Sequence, residues 1–154
     1  MNIFFLSMNV VVCAQMHVDK HVVKMILEYA QLLSTAHCVI DGIQVAYKKT
    51  HVNHPSAVWA RSSMCNYMWL YRLFCALLDE YTYRYNKVHK CAELKPILCI
   101  PPDNIKLSRF TEPPPAMPDE YKVSDSSIES YISYYKYGKC HLHSWKKRQI
   151  PCFI

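Results

Sequence analysis

Apolar and polar positions separate most sharply over the first forty residues. Stepping about 100° per residue, Val18, Val22, Met25, Ile26, Tyr29, Leu32 and Leu33 fall on one side, and Cys13, His17, Lys20, His21, Lys24, Glu28, Gln31 and Thr35 on the other. The pattern predicts a helix with one dry and one wet face. It starts near Ser7 or Asn9, breaks and restarts at Asp19, and stops before Asp41-Gly42, because Asn and Asp cap helix starts and Gly ends them. Ahead of it, Ile3-Phe4-Phe5-Leu6 reads as a short extended segment laid on the core.

After a connector over residues 43–54, Pro55 opens a second helix that the apolar pattern carries to about Asn86, proline being favoured at the first helical position. Trp59, Leu70, Phe74, Leu77 and Tyr81 mark its dry side; Arg61, Ser62, Asn66, Arg72, Glu80 and Lys87 mark the other, with Trp69 beside Arg61 and Arg72. Trp69 there either packs under a loop or stacks on a base. Residues 88–123 hold seven of the nine prolines, so no helix persists through 113–118. That stretch is a functional loop or a brace across the surface. Ser126-Ser127-Ile128-Glu129 has capping-box spacing and opens a third helix with Ile128, Tyr131, Ile132 and Tyr135 as its stripe. The expectation is an all-α, mainly helical fold: one compact domain over residues 1–154, with three main helices and a long proline-rich loop.

Charge adds a direction. The formal net charge is +6, which favours an anionic partner, nucleic acid first. The tail sharpens this. Tyr134-Tyr135-Lys136-Tyr137-Gly138-Lys139 is followed by Trp145-Lys146-Lys147-Arg148, and no acid follows Glu129. Tyrosines interleaved with cations suit contact with phosphates and bases, while a basic tail also serves solubility alone. The eight cysteines contain no C-x-x-C pair, which argues against zinc-ribbon and thioredoxin readings; without an export signal they read as free thiols of a reducing compartment. No apolar run spans a bilayer, and the first residues do not read as a signal peptide.

Little familiar chemistry fits. Two glycines leave no phosphate-cradling loop and no dinucleotide fingerprint, and there is no nucleophile elbow. Cys13, His17 and His21 share a face, but three ligands at that spacing span about 12 Å; His17 and His21 with ligands from elsewhere is the weaker zinc alternative. No cofactor or metal is required by any motif. What remains is Glu28, a lone carboxylate among Lys20, His21 and Lys24, whose positive neighbours favour its charged form. It is suited to stabilising an oxocarbenium ion or orienting a nucleophile in N-glycosidic cleavage. The cationic face, with His17, Lys20, Lys24 and Gln31, would hold the flanking phosphates.

Three features together resemble the pyrimidine-dimer DNA glycosylases of bacteriophages and large algal viruses, the T4 endonuclease V type. They are Asp19-x-His21 with Glu28 seven residues on, Asn53-His54-Pro55 opening a central helix, and the Tyr134–Lys139 stretch. The resemblance implies a compact helical enzyme, a monomer, that binds duplex DNA and kinks it. It would release a base through a Schiff base on the N-terminal amine, then nick the strand by β-elimination. Glu28 would be the catalytic carboxylate, His21 its neighbour, the amine of Met1 or Asn2 the nucleophile, and Tyr135, Lys136, Tyr137 and Lys139 the face toward DNA. It also implies a virus-encoded protein working inside the infected cell or carried in the virion. Asn2 stands where the family has threonine, and Leu27 and Gln31 where it has arginines. An inactive DNA-binding or virion-associated protein with the same fold is therefore the alternative.

Overall fold

The computed structural model describes residues 1–123 and 125–154. Among the described residues six α-helices carry the fold: α1 (Val10–Met16), α2 (Asp19–Ile40), α3 (Pro55–Ser62), α4 (Met64–Tyr85), α5 (Lys95–Leu98) and α6 (Ser127–Ser133). Single 3-10 turns at Lys90–Leu94, Asp119–Tyr121 and Cys140–Leu142, and a π-turn at Tyr134–Gly138, complete the regular structure. No strand occurs among the described residues; the chain is all-α. No helix among them is long and apolar enough to cross a membrane.

Most helix boundaries follow from local chemistry. The Asn9 side chain accepts from the amides of Val11 and Val12, and Gly42 ends α2 at a φ of 72°. The His54 ring caps α3, and Ser126 caps α6 through the Glu129 amide. These oxygens and nitrogens satisfy amides that the first helical turn leaves without partners. The dry face of α2 is buried along its length, from Val18 to Leu33. It packs on α4, with Ile3–Leu6 laid across the pair as a buried extended segment. Each such aliphatic or aromatic side chain contributes about 1.5–3 kcal/mol on burial.

The expected helix from Pro55 to Asn86 is two helices. At Ser63 the backbone turns extended (φ −153°, ψ 154°), and its hydroxyl caps α4 by accepting from the Asn66 amide. Adjacent serines compete for backbone hydrogen bonds and so suit a break. Asn66, expected on a polar side, is buried: it donates to the Trp59 carbonyl and the Ser62 and Thr111 hydroxyls, and accepts from the Thr111 amide. Glu80, from the same side, is buried too. The proline-rich stretch is therefore a brace across the helix break. Its Phe110 ring lies about 6 Å from the rings of Trp59 and Trp69. The Asp41 carboxylate anchors its other part by accepting from the amides of Asp103 and Asn104.

The wet face of α2 is only partly wet. Cys13, His17 and Thr35 are fully buried and His21 nearly so, because the N-terminal segment, α6 with its π-turn, and the 43–54 connector lie over them. Lys20 and Lys24 remain exposed, and Glu28 and Gln31 half-buried.

Candidate functional site

The site is assembled where the chain's beginning meets the middle of α2. Ile3–Leu6 is pinned by Phe4, whose amide donates to the Tyr29 hydroxyl at 3.1 Å and whose carbonyl accepts from the Cys13 thiol at 3.2 Å. That anchoring brings the α-amine of Met1 to 3.8 Å from Glu28 Oε2. Lys24, one turn earlier on α2, places Nζ 3.2 Å from Glu28 Oε1. A cavity of about 150 Å³ opens here, lined by Met1, Asn2, Phe4, His21, Lys24, Met25, Glu28 and Lys139. Four of the residues singled out as catalytic in the sequence, Glu28, Met1, Asn2 and His21, thus share one cavity with two lysines.

His21 is held rather than free. Its ring stacks on Phe4 at 4.1 Å and 16°, and its Nδ1 lies 2.6 Å from the Tyr135 hydroxyl. Burial, followed by the charges of His17, Lys139 and Lys24, pushes its pKa down to about 3. The ring is therefore neutral near pH 7. His54 belongs to the same neighbourhood. Burial, the first residue's ammonium and His51 lower its pKa, and Glu28 opposes them. The sequence marks His54 as part of a helix start; nothing in its spacing from Glu28 indicates that the connector returns to this place.

Several DNA-facing expectations are corrected by burial or by partners. His17 is enclosed, with Nδ1 donating to the Cys13 carbonyl at 2.7 Å. Trp69 is 7 % exposed and donates from its indole to the Met8 carbonyl, so it is a core residue and not a base-stacking platform. Tyr135 is fully buried beneath His21. Arg61 donates to the Val52 carbonyl and ties down the connector. The end of the tail is docked on α4. Arg148 bonds both oxygens of Glu80 at 3.0 and 2.8 Å, and Lys147 donates to the Tyr83 carbonyl and the Asn86 side chain. The Lys146 ammonium sits 5.3 Å from the centre of the Tyr85 ring, and its amide donates to Asp19.

Lys20, Lys24, Arg72, Lys136 and Tyr137 are exposed. Lys139 is half-buried, with its ammonium 4.9 Å from the centre of the Tyr134 ring. A side chain at Gly138 would place its Cβ 2.5 Å from the Tyr134 ring, so glycine is what lets the π-turn close beside the cavity. Among the described residues no three His, Cys, Asp or Glu side chains are grouped to hold a metal ion.

The residue that sequence reading missed altogether is Arg84. It is fully buried at the end of α4. It donates to Glu80 Oε1 at 2.7 Å, to Asp19 Oδ1 at 2.9 Å, and to the carbonyls of Gln15 and His17. Its only sequence signal is the spacing of four from Glu80, which surface pairs share. No protein-family model matches the chain, and neither a curated protein nor a solved structure does.

Proposed function

We propose that the protein is a DNA N-glycosylase with AP-lyase activity, acting on a modified or damaged pyrimidine in duplex DNA. The observation that carries this reading is the α-amine of residue 1 held 3.8 Å from the Glu28 carboxylate in a cavity bordered by Lys24 and Lys139. In the proposed reaction the amine, once deprotonated, attacks C1′ of the target nucleotide. The N–C1′ bond forms as the glycosidic bond breaks, and the electron pair leaves with the base, which takes up a proton. Glu28 stabilises the positive charge that develops on the sugar. Ring opening gives an iminium ion. Removal of a C2′ proton by Glu28 then expels the 3′ phosphate by β-elimination. The exposed cations Lys20, Lys24, Arg72, Lys136 and the cavity's Lys139 suit phosphates flanking the target.

Borohydride reduction tests this directly, since it converts the iminium ion into a stable amine. The expected result is a covalent protein–DNA adduct on an abasic or damaged-pyrimidine duplex; in Glu28→Gln the adduct on the damaged pyrimidine, which requires base release, is lost. No adduct, together with no base release that depends on Glu28, overturns the reading.

The second reading is a DNA-binding or virion-associated protein without chemistry. It draws on the Met1 side chain, only 5 % exposed, and on a cavity of about 150 Å³, whereas ligand pockets usually measure ~300–1,000 Å³. It predicts salt-sensitive DNA binding, or docking to a virion protein, that Glu28→Gln leaves unchanged. Failure to bind DNA or any virion protein removes it.

A further inference from the structure

Tyr135 is fully buried, and its hydroxyl lies 2.6 Å from His21 Nδ1. Burial raises the ionisation of this phenol well above its ordinary range, so the oxygen keeps its proton and must place it. The acceptor within reach is His21 Nδ1. A neutral imidazole whose Nδ1 accepts carries its single proton on Nε2. The network thus assigns the tautomer. Two further contacts make it rigid. The Phe4 ring, stacked at 16°, fixes the plane of the imidazole, and the Tyr135 hydroxyl fixes which edge faces inward. The charged and titratable groups acting on this ring are His17, Lys139 and Lys24, with Tyr135 at its inner edge, and no carboxylate is among them.

The cavity consequently has two ends. Glu28 and the amine form one. His21, two helical turns or about 10.5 Å back along α2, forms the other with Lys139, and Lys24 lies between them. The N–H that this tautomer assigns to His21, with Lys139 beside it and Lys24 reaching from Glu28, makes a donor set that suits an oxyanion. On a nucleic acid the oxyanion is a backbone phosphate, and phosphate contacts are what set register.

We propose that Tyr135 is a positioning residue that fixes His21 as an Nε2–H donor, and that His21, with Lys24 and Lys139, takes a phosphate oxygen of the strand whose sugar lies at Met1 and Glu28. The assignment of the ligand rests on the glycosylase reading; the tautomer lock does not. Its consequence is register: the phosphate end sets how far the sugar reaches toward the amine.

Long-range ¹H–¹⁵N spectra of the whole protein read the tautomer, and binding to a short duplex with a tetrahydrofuran abasic analogue reads the ligand. The wild type is expected to show His21 with a bare Nδ1 and a protonated Nε2 at neutral pH. Tyr135→Phe, which removes only the hydroxyl, is expected to yield a mixture of tautomers in a chain that melts at a somewhat lower temperature but still as one cooperative unit. His21→Ala should weaken binding about tenfold, as loss of a hydrogen bond to a charged group does, and Tyr135→Phe by less, in proportion to the fraction of rings that lose the Nε2 proton. The double variant should be no weaker than His21→Ala, because both act through one bond. A wild-type His21 protonated on Nδ1, or a tautomer that Tyr135→Phe leaves unchanged, overturns the lock. If the tautomer is as expected and wild type is trapped by borohydride, yet His21→Ala binds normally, the phosphate assignment fails alone. If wild type neither binds nor is trapped, the glycosylase reading fails and takes the phosphate assignment with it.

Discussion

Two clusters of charge border α2, and they are built from the same kinds of side chain to opposite ends. At its beginning, Arg84, Arg148, Glu80 and Asp19 form a closed network. Both Glu80 oxygens are bonded by arginines, and Arg84 also reaches two main-chain carbonyls, all at 2.7–3.0 Å. In the middle of α2, Glu28 meets an amine at 3.8 Å and a lysine at 3.2 Å whose side chain is 71 % exposed. The first cluster leaves its arginine little capacity for a ligand; the second keeps donors and a carboxylate at the wall of a cavity. Charge in a protein is therefore a poor guide to function until its partners are counted. A buried charge must be matched within the fold, whereas an active group must keep capacity for what is absent.

The largest effect expected from this contrast is on stability. Arg84→Leu removes the positive centre and leaves Glu80 and Asp19 facing one another with fewer donors. It should cost about 3–5 kcal/mol, as breaking buried pairs does. Denaturant melts measure it, and a loss under about 1 kcal/mol would show that the network is not structural. Glu28→Gln should do the reverse. Its ionic partners are an exposed lysine and an amine at the long distance of 3.8 Å, so stability should move by less than about 1 kcal/mol, while base release falls by at least ~100-fold. If Glu28→Gln destabilises as strongly as Arg84→Leu, the two clusters are of one kind and the contrast collapses.

The same contrast explains what could be read in advance. Asn9, Asp41-Gly42, His54-Pro55 and Ser126 declare helix ends through their own side chains and dihedrals, so those boundaries were legible from a few neighbours. So was the dry face of α2. The break at Ser63 was not, because no proline or glycine interrupts the apolar stripe there; the extended turn is held by Asn66, Thr111 and the brace, a contact 45 residues away. The wet face failed for a similar reason. Polarity said that His17 and His21 should face water, but what covers them is Phe4 and Tyr135, and only tertiary structure supplies those. At the site, Glu28, His21 and the first residue were legible as residues, and their meeting was not. Lys147 and Arg148 were legible as charge, and their engagement by Tyr83 and Glu80 was not.

Acidification should sharpen the comparison further. Burial of His17 lowers its pKa from 6.5 to about 4. Between those values the unfolded chain binds more protons at this residue than the folded one, so stability rises with pH there and is lost as pH falls from 6.5 toward 4. At about 1.4 kcal/mol per unit, the residue can contribute a loss of up to about 3 kcal/mol. His21, lowered to about 3, acts in the same direction. Burial raises the carboxyls of Asp19 and Glu80, but hydrogen bonds from Ser144 and Lys146 to Asp19, and from Arg148 and Arg84 to Glu80, outweigh it and hold both low. Their contribution is present above the ordinary carboxylate range and fades below it. Urea melts from pH 7 to pH 4 should show the decline, and His17→Gln, which does not titrate, should flatten its upper part. A wild-type stability constant over that range contradicts the buried, neutral assignment.

The smallest effect separates cations at the cavity wall from cations locked into the fold. A lysine that neutralises a phosphate releases condensed counterions, and its removal lowers the slope of log affinity against log salt by about 0.9. Lys24 and Lys139 border the cavity, so Lys24→Ala and Lys139→Ala should each reduce that slope by roughly this amount and weaken binding almost equally for every sequence. Arg148 stands on the other side of the comparison. Its guanidinium is engaged by both Glu80 oxygens and lies 4.1 Å from the centre of the Tyr83 ring. Arg148→Ala should therefore lower the melting temperature and leave the salt slope as it was. Salt titrations of DNA binding for the three variants decide it. A slope that falls with Arg148→Ala and stays fixed with Lys139→Ala would move the DNA surface from the Glu28 cavity to the tail, and would make the closed network the one that opens to its ligand.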